Sequence, residues 1–100
     1  MNQKQDARLR WLKPEEGGRQ HPPPGPKYIT VARFESQRES WSDEAWSLVV
    51  EFLEQPDASL CHRVRVSFLA EDGPEDLLMP GSAFDLMEGS RRVAEGVVIA

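Results

Sequence analysis

The chain has 100 residues, a formal net charge of −5 and one cysteine. This length suits a single domain, and a hydrophobic fraction of 39% with three Trp and four Phe excludes a disordered chain. One cysteine excludes an internal disulfide. The polar stretch Met1 to Arg10 does not resemble a signal peptide, and no apolar run approaches the roughly 20 residues that span a membrane. We therefore expect a soluble cytoplasmic protein with no membrane partner.

The charge is unevenly distributed along the chain. Residues 1–40 contain eight Lys or Arg and five Asp or Glu, whereas residues 41–100 contain four and twelve. An acidic chain is a poor general nucleic-acid binder, because neutralisation of phosphates supplies most of that affinity. A local basic surface on the N-terminal part stays open, although solubility alone also accounts for the charge.

The first part of the chain predicts two strands and a loop. Leu9 to Leu12 is a short strand that follows a disordered tail over residues 1–7, and Pro14 ends it. Four prolines between His21 and Pro26 remove backbone donors and predict a stiff surface loop. Tyr28 to Phe34 is rich in strand-forming residues and predicts a strand in which the even-numbered side chains share one face and the odd-numbered ones the other.

The segment after this strand fits two structures. Glu35 to Glu44 is a polar connection in which we expect Trp41 to lie against the body of the protein. Ala45 to Glu54 has the apolar spacing of a helix beginning near Ser42, but equally that of a strand. The helix face would carry Trp46, Val49, Val50 and Leu53, and the strand face Trp46, Leu48, Val50 and Phe52.

The last part of the chain predicts three strands. Leu60 to Leu69 alternates polar and apolar residues and has one wet face. An acidic turn and a Pro-Gly turn lead to the strand Ala83 to Glu88, and the hairpin turn Gly89-Ser90 leads to the strand Arg91 to Ile99. Six strands with short turns and no convincing helix predict a sandwich or a barrel. We expect large apolar residues to fill its interior and leave no central cavity: Trp11, Phe34, Trp46, Phe68 and Phe84.

The sequence contains few candidate catalytic or metal-ligating residues. Cys61 and His62 are adjacent, so in a strand they point to opposite faces, and His21 lies in a distant loop. We therefore predict no metal site, and a small buried apolar role for Cys61. The sequence contains no phosphate-binding P-loop and no Gly-x-Ser-x-Gly motif, which predicts no bound nucleotide, no cofactor and no enzyme activity. A hydrolase would require a pocket holding Cys61 together with a histidine.

Two segments near the ends of the chain carry a family resemblance. Lys13 to Pro22 contains Glu-Glu-Gly-Gly-Arg followed by a proline, and Phe84 to Val98 fits Phe-x-x-x-Glu-Gly-x-Arg-x-Val-x-x-Gly-x-Val. Together they resemble the third, C-terminal β-barrel domain of bacterial elongation factor Tu. The resemblance covers about residues 8–100, implies one six-stranded antiparallel closed barrel there, and favours the strand over the helix for Ala45 to Glu54.

The resemblance also implies two functions. In the family this barrel packs against a GTPase domain and helps to hold tRNA and an exchange factor, whereas the present sequence has no GTPase motif. The first interpretation is a stand-alone, non-enzymatic module that binds an unknown protein partner through one barrel face or the acidic loop Glu71 to Asp76. The alternative is a translation-linked protein that binds tRNA or another RNA through the two Gly-Arg turns.

The residues of the RNA alternative follow the family motifs position by position. Arg19 matches the family arginine, whereas Gln20 and His21 stand where the family has His and Thr. Gly89 matches a position whose backbone lies near the tRNA. A purely structural interpretation predicts a hairpin in which Glu88 pairs with Arg91, and predicts that Gly96 marks a bulge or a close backbone approach. The candidate binding residues are Arg19, Gln20, His21, Gly89 and Arg91.

Overall fold

The computed structural model describes residues 3–37 and 45–99, and within these ranges the chain forms six β-strands and three short 3₁₀ turns. The 3₁₀ turns lie in the connections, at Pro14–Glu16, Glu35–Gln37 and Glu75–Leu78. The strands are β1 (Gln5–Trp11), β2 (Lys27–Phe34), β3 (Trp46–Phe52), β4 (Cys61–Phe68), β5 (Ala83–Glu88) and β6 (Arg91–Val98).

The strands close into a barrel in the order β1-β4-β3-β2-β5-β6, with β6 paired back to β1, and every neighbouring pair is antiparallel. The predicted six-stranded antiparallel closed barrel is thus confirmed. Closure leaves no unpaired sheet edge among these strands, so the outer surface and the loops are the places where another molecule can contact the barrel.

Strand bounds agree with the sequence prediction within one residue for β2, β4, β5 and β6. The prediction was wrong for β1, which begins at Gln5 rather than Leu9 and buries Ala7 completely. β1 pairs with both β4 and β6, and these two ladders include residues that show no strand pattern in the sequence. The ambiguous segment is a strand from Trp46 to Phe52. Trp41 and the helix start near Ser42 lie outside the described residues.

Aromatic side chains fill the interior as predicted. Trp11, Phe34, Phe68 and Phe84 are at most 2% exposed, while Trp46 is half-buried and packs against the Phe68 ring. The ring centroid of Phe34 lies 5.7 Å from that of Phe84 and 5.9 Å from that of Phe68, within the range of favourable aromatic pairs.

Gly96 makes room for one of these rings. A Cβ at this position would lie 2.6 Å from the Phe84 ring, so the strand needs glycine here. Of the two roles predicted for Gly96, the close backbone approach is therefore confirmed. The irregularity of the β5–β6 ladder lies elsewhere, between Leu86 and Met87.

A buried polar link crosses the interior. Trp11 Nε1–H donates to His62 Nε2 at 2.9 Å, and His62 Nδ1 lies 2.8 Å from the carbonyl oxygen of Glu54. Because a carbonyl oxygen can only accept, Nδ1 carries the proton and Nε2 is free to accept from the indole. His62 is completely buried and is therefore a structural residue of the core.

Candidate functional site

The first Gly-Arg turn is fixed by its two glycines. Gly17 ends the 3₁₀ turn with a φ of 90°, a left-handed conformation that favours glycine. Gly18 is buried, and a Cβ there would lie 2.2 Å from the carbonyl oxygen of Leu12. The backbone therefore turns tightly against the end of β1, and Arg19 leaves the turn at a defined position.

Arg19 makes three contacts, two with the barrel and one within its own loop. Its Nη1 lies 2.5 Å from Glu88 Oε2, its Nε–H donates to the carbonyl oxygen of His21 at 3.0 Å, and its guanidinium lies 6.0 Å from the centroid of the Tyr28 ring. Gln20 and His21 are exposed in the adjoining loop. The arginine is thus held between its own loop and the β5–β6 hairpin.

The second Gly-Arg turn meets the first at the same carboxylate. Glu88 and Arg91 face each other across the Gly89-Ser90 turn, and Gly89 has a φ of 65°, as expected at the first central position of a type II′ hairpin. Arg91 Nη2 lies 3.7 Å from Glu88 Oε1, which confirms the predicted cross-hairpin pair. We call the group Arg19, Tyr28, Glu88, Gly89 and Arg91 the arginine-turn site.

The electrostatics of the arginine-turn site centre on Glu88. Burial raises the pKa of Glu88, but hydrogen bonds from Tyr28 and Arg19 together outweigh it and hold this pKa below its ordinary value. Burial and the hydrogen bond to Glu88 raise the pKa of Tyr28 to about 12. The carboxylate neutralises one of the two arginines, and the side chain of Arg91 remains 57% exposed.

A second candidate site is a groove on the outer surface of the barrel, which crosses β4, β1, β6, β5 and β2. It encloses a volume of about 450 Å³. Four arginines and three carboxylates line it, and apolar side chains that include Ala83, Phe84 and Val97 contribute to its wall. We call it the arginine groove. Its charged residues are Arg8, Arg10, Arg33, Arg92, Glu35, Asp85 and Glu95.

Ion pairs within the arginine groove hold three of its arginines. Asp85 lies 2.9 Å from Arg33 and 3.6 Å from Arg92. Glu95 lies 2.9 Å from Arg10 and 3.7 Å from Arg92. Each of these two carboxylates is therefore shared between two guanidinium groups, and the arginines form a connected network rather than isolated solvated charges.

Arg8 differs from the other arginines of the groove. Within residues 3–37 and 45–99 it makes no ion pair, and its side chain is exposed. Its partner in the β1–β4 register is Arg63, a like charge, and Arg63 already pairs with Asp6 at 2.7 Å. Among the described residues, a positive charge without a carboxylate partner thus lies at a defined point of the groove.

The prediction for Cys61 was wrong in part. Cys61 and His62 do point to opposite faces, but Cys61 is half-buried in the wall of the arginine groove instead of buried in the core. His62 points inward to Trp11 and so does not reach the thiol. The structure therefore does not bring Cys61 together with its neighbouring histidine.

Two other kinds of feature are absent from the described part of the chain. In that part, no group of three or more His, Cys, Asp or Glu side chains has an arrangement that could hold a metal ion. Likewise, none of its helices combines the length and the apolar character needed to cross a membrane.

The structure brings together three of the five predicted binding residues. Arg19, Gly89 and Arg91 meet around Glu88, whereas Gln20 and His21 have exposed side chains beside them. The arginine groove was missed, because its residues come from five strands and only the register shows that they are neighbours. The alternation of Arg8 and Arg10 with the buried Leu9 is a signal that could have indicated its centre.

No protein-family model matches the chain, and no curated protein matches it.

Proposed function

We propose that this chain is a non-enzymatic protein-interaction module, built on a barrel akin to the third domain of elongation factor Tu, and that it binds its partner through the arginine groove. The observation that supports this proposal is the groove itself. Four arginines and three carboxylates surround a recess of about 450 Å³ on a chain whose net charge is −5. The kinship is supported by the six strands and by the glycine turn between Glu88 and Arg91, which lie where the resemblance expects them.

The composition of the groove favours a protein over a nucleic acid. Asp85 and Glu95 lie between the arginines, and they would repel a continuous phosphate backbone. Protein interfaces instead combine arginine, apolar surface and a polar rim, which is the combination found here. The overall acidity of the chain adds to the repulsion of nucleic acid.

The test is a crosslinking experiment on the full chain. A photoreactive p-benzoylphenylalanine at Val97, in the groove wall, should capture a protein partner in native cell extract, and Arg8→Glu should abolish the capture. Lys13→Glu is the matched charge reversal, because Lys13 is exposed in the β1–β2 connection outside the groove. The proposal fails if capture at Val97 is absent, or if both charge reversals reduce it equally.

A second candidate function is RNA binding at the arginine-turn site. It is favoured by one observation: Arg19 and Arg91, from two distant turns, converge on Glu88. Titration with tRNA at low and moderate salt should then show affinity that falls with salt, and Arg91→Gln should weaken it and reduce the salt dependence. Absence of binding at low salt would remove this candidate.

A further inference from the structure

We infer that the arginine groove recognises an acidic peptide segment of the partner, in which a carboxylate pairs with Arg8 and a neighbouring apolar side chain packs on the groove wall. This inference rests on the proposed function and adds the chemistry of the ligand. It starts from an imbalance: Asp85 and Glu95 already serve three of the four groove arginines, and Arg8 has no carboxylate among the described residues.

The residue opposite Arg8 in the β1–β4 ladder adds to this imbalance, because it is also positively charged. Directly opposite residues of an antiparallel pair have Cβ atoms about 4.5–5.5 Å apart, and like charges at this distance repel. Arg63 occupies the opposite position, and Asp6 lies between Arg63 and Arg65 at 2.7 and 3.2 Å. Hydrogen bonds from Arg63 and Arg65 lower the pKa of Asp6. This carboxylate therefore stays ionised and paired with the two arginines of β4.

An incoming carboxylate would relieve this repulsion. Arginine presents a planar fork that matches a carboxylate with two parallel hydrogen bonds, which gives both affinity and orientation. The other arginines of the groove are already held by Asp85 and Glu95, so they shape the recess without competing for the ligand. The apolar atoms of Ala83 and Val97 in the same recess provide a surface for an adjacent apolar side chain.

The experiment uses the full chain and a short Gly-Ser peptide that carries Glu-Phe-Glu. Heteronuclear NMR of the backbone amides and of the arginine Nε–H groups follows the titration. The inference predicts saturable shifts at Arg8 and Val97, loss of binding with a Gln-Phe-Gln peptide, and at least a tenfold weaker affinity for Arg8→Gln, since a charge-assisted hydrogen bond exceeds the free energy of one decade. Lys13→Gln should bind as the wild type does.

Besides failure of the acidic peptide to bind, three outcomes overturn the inference. The first is equal binding of the acidic and amide peptides, and the second is tighter binding of an RNA oligonucleotide at the same residues. The third is a concentration-dependent shift of Arg8 without any peptide, which assigns the groove to a second copy of this chain. Failure of the peptide with successful crosslinking at Val97 rejects only the acidic ligand, whereas peptide binding without any captured protein rejects the interaction module.

Discussion

The single tyrosine of the chain reports directly on the arginine-turn site. Tyr28 is half-buried and its hydroxyl donates to Glu88, and burial followed by this hydrogen bond raises its pKa from 10.0 to about 12. At about pH 11 an ordinary tyrosine is roughly 90% ionised, whereas a group with a pKa of about 12 is roughly 10% ionised. Ultraviolet absorbance of the phenolate should therefore rise with a midpoint close to 12. The protonated phenol stabilises the fold below about pH 10, and this contribution is lost as the pH rises to about 12.

Two variants separate the causes of this shift. Glu88→Gln removes the charged acceptor but leaves the burial, so the midpoint should fall and remain above 10.0. Arg19→Gln removes a cation whose charge favours the phenolate, so it should act in the opposite direction. Absorbance is read immediately after a rapid pH jump, with circular dichroism to confirm that the barrel is still folded. A wild-type midpoint no higher than that of Glu88→Gln would refute the contact between Tyr28 and Glu88.

The remaining predictions concern the core. Gly96→Ala places a Cβ 2.6 Å from the Phe84 ring, so urea denaturation should show a loss of about 1–3 kcal/mol, as for other overpacked cores; unchanged stability would contradict the close approach. His62→Phe leaves the indole N–H of Trp11 buried without an acceptor and should cost about 1–3 kcal/mol. Adding Trp11→Phe removes the orphaned donor, so the double variant should lose less than the sum of the two single variants; strict additivity would argue against the hydrogen bond.

Most of the fold could be predicted from the sequence, because successive side chains of a strand point to opposite faces and so repeat with a period of two. Cys61 to Phe68 shows this period clearly, Tyr28 to Phe34 is rich in strand-forming residues, and the even-numbered side chains of both segments do face the interior. The early start of β1 was not readable, because Gln5 and Asp6 are polar. Asp6 lies in the β1–β4 ladder, and its carboxylate pairs with two arginines of β4 that are 57 and 59 residues away in the sequence.

The candidate sites were readable to different degrees. The turn around Gly89 could be predicted, since a two-residue hairpin with glycine in its first position has a local signature. The convergence of Arg19 on Glu88 could not, because it depends on how the loop after Gly18 returns to the barrel. The arginine groove is a property of register alone: a shift of one residue in β1 would turn Arg8 inward.

The register also makes the role of Arg8 testable without a ligand. Arg8 lies opposite Arg63 and pairs with no carboxylate in the part of the chain that the structure describes, so it contributes repulsion to the folded barrel and stability alone does not explain it. Arg8→Thr should therefore leave the free energy of unfolding unchanged or raise it by up to about 1 kcal/mol, because threonine favours strands and removes a like charge.

The matched variant is Arg63→Thr, which removes the same repulsion but also the ion pair with Asp6 at 2.7 Å. It should stabilise the barrel less than Arg8→Thr does, as measured by urea denaturation at low and high salt. The difference should shrink with salt, because both effects act between exposed charges. Surface substitutions usually change the free energy of unfolding by less than about 0.5 kcal/mol. If Arg8→Thr destabilises the protein by more than this, Arg8 stabilises the fold itself, and its exposed charge is no longer an argument for a bound ligand.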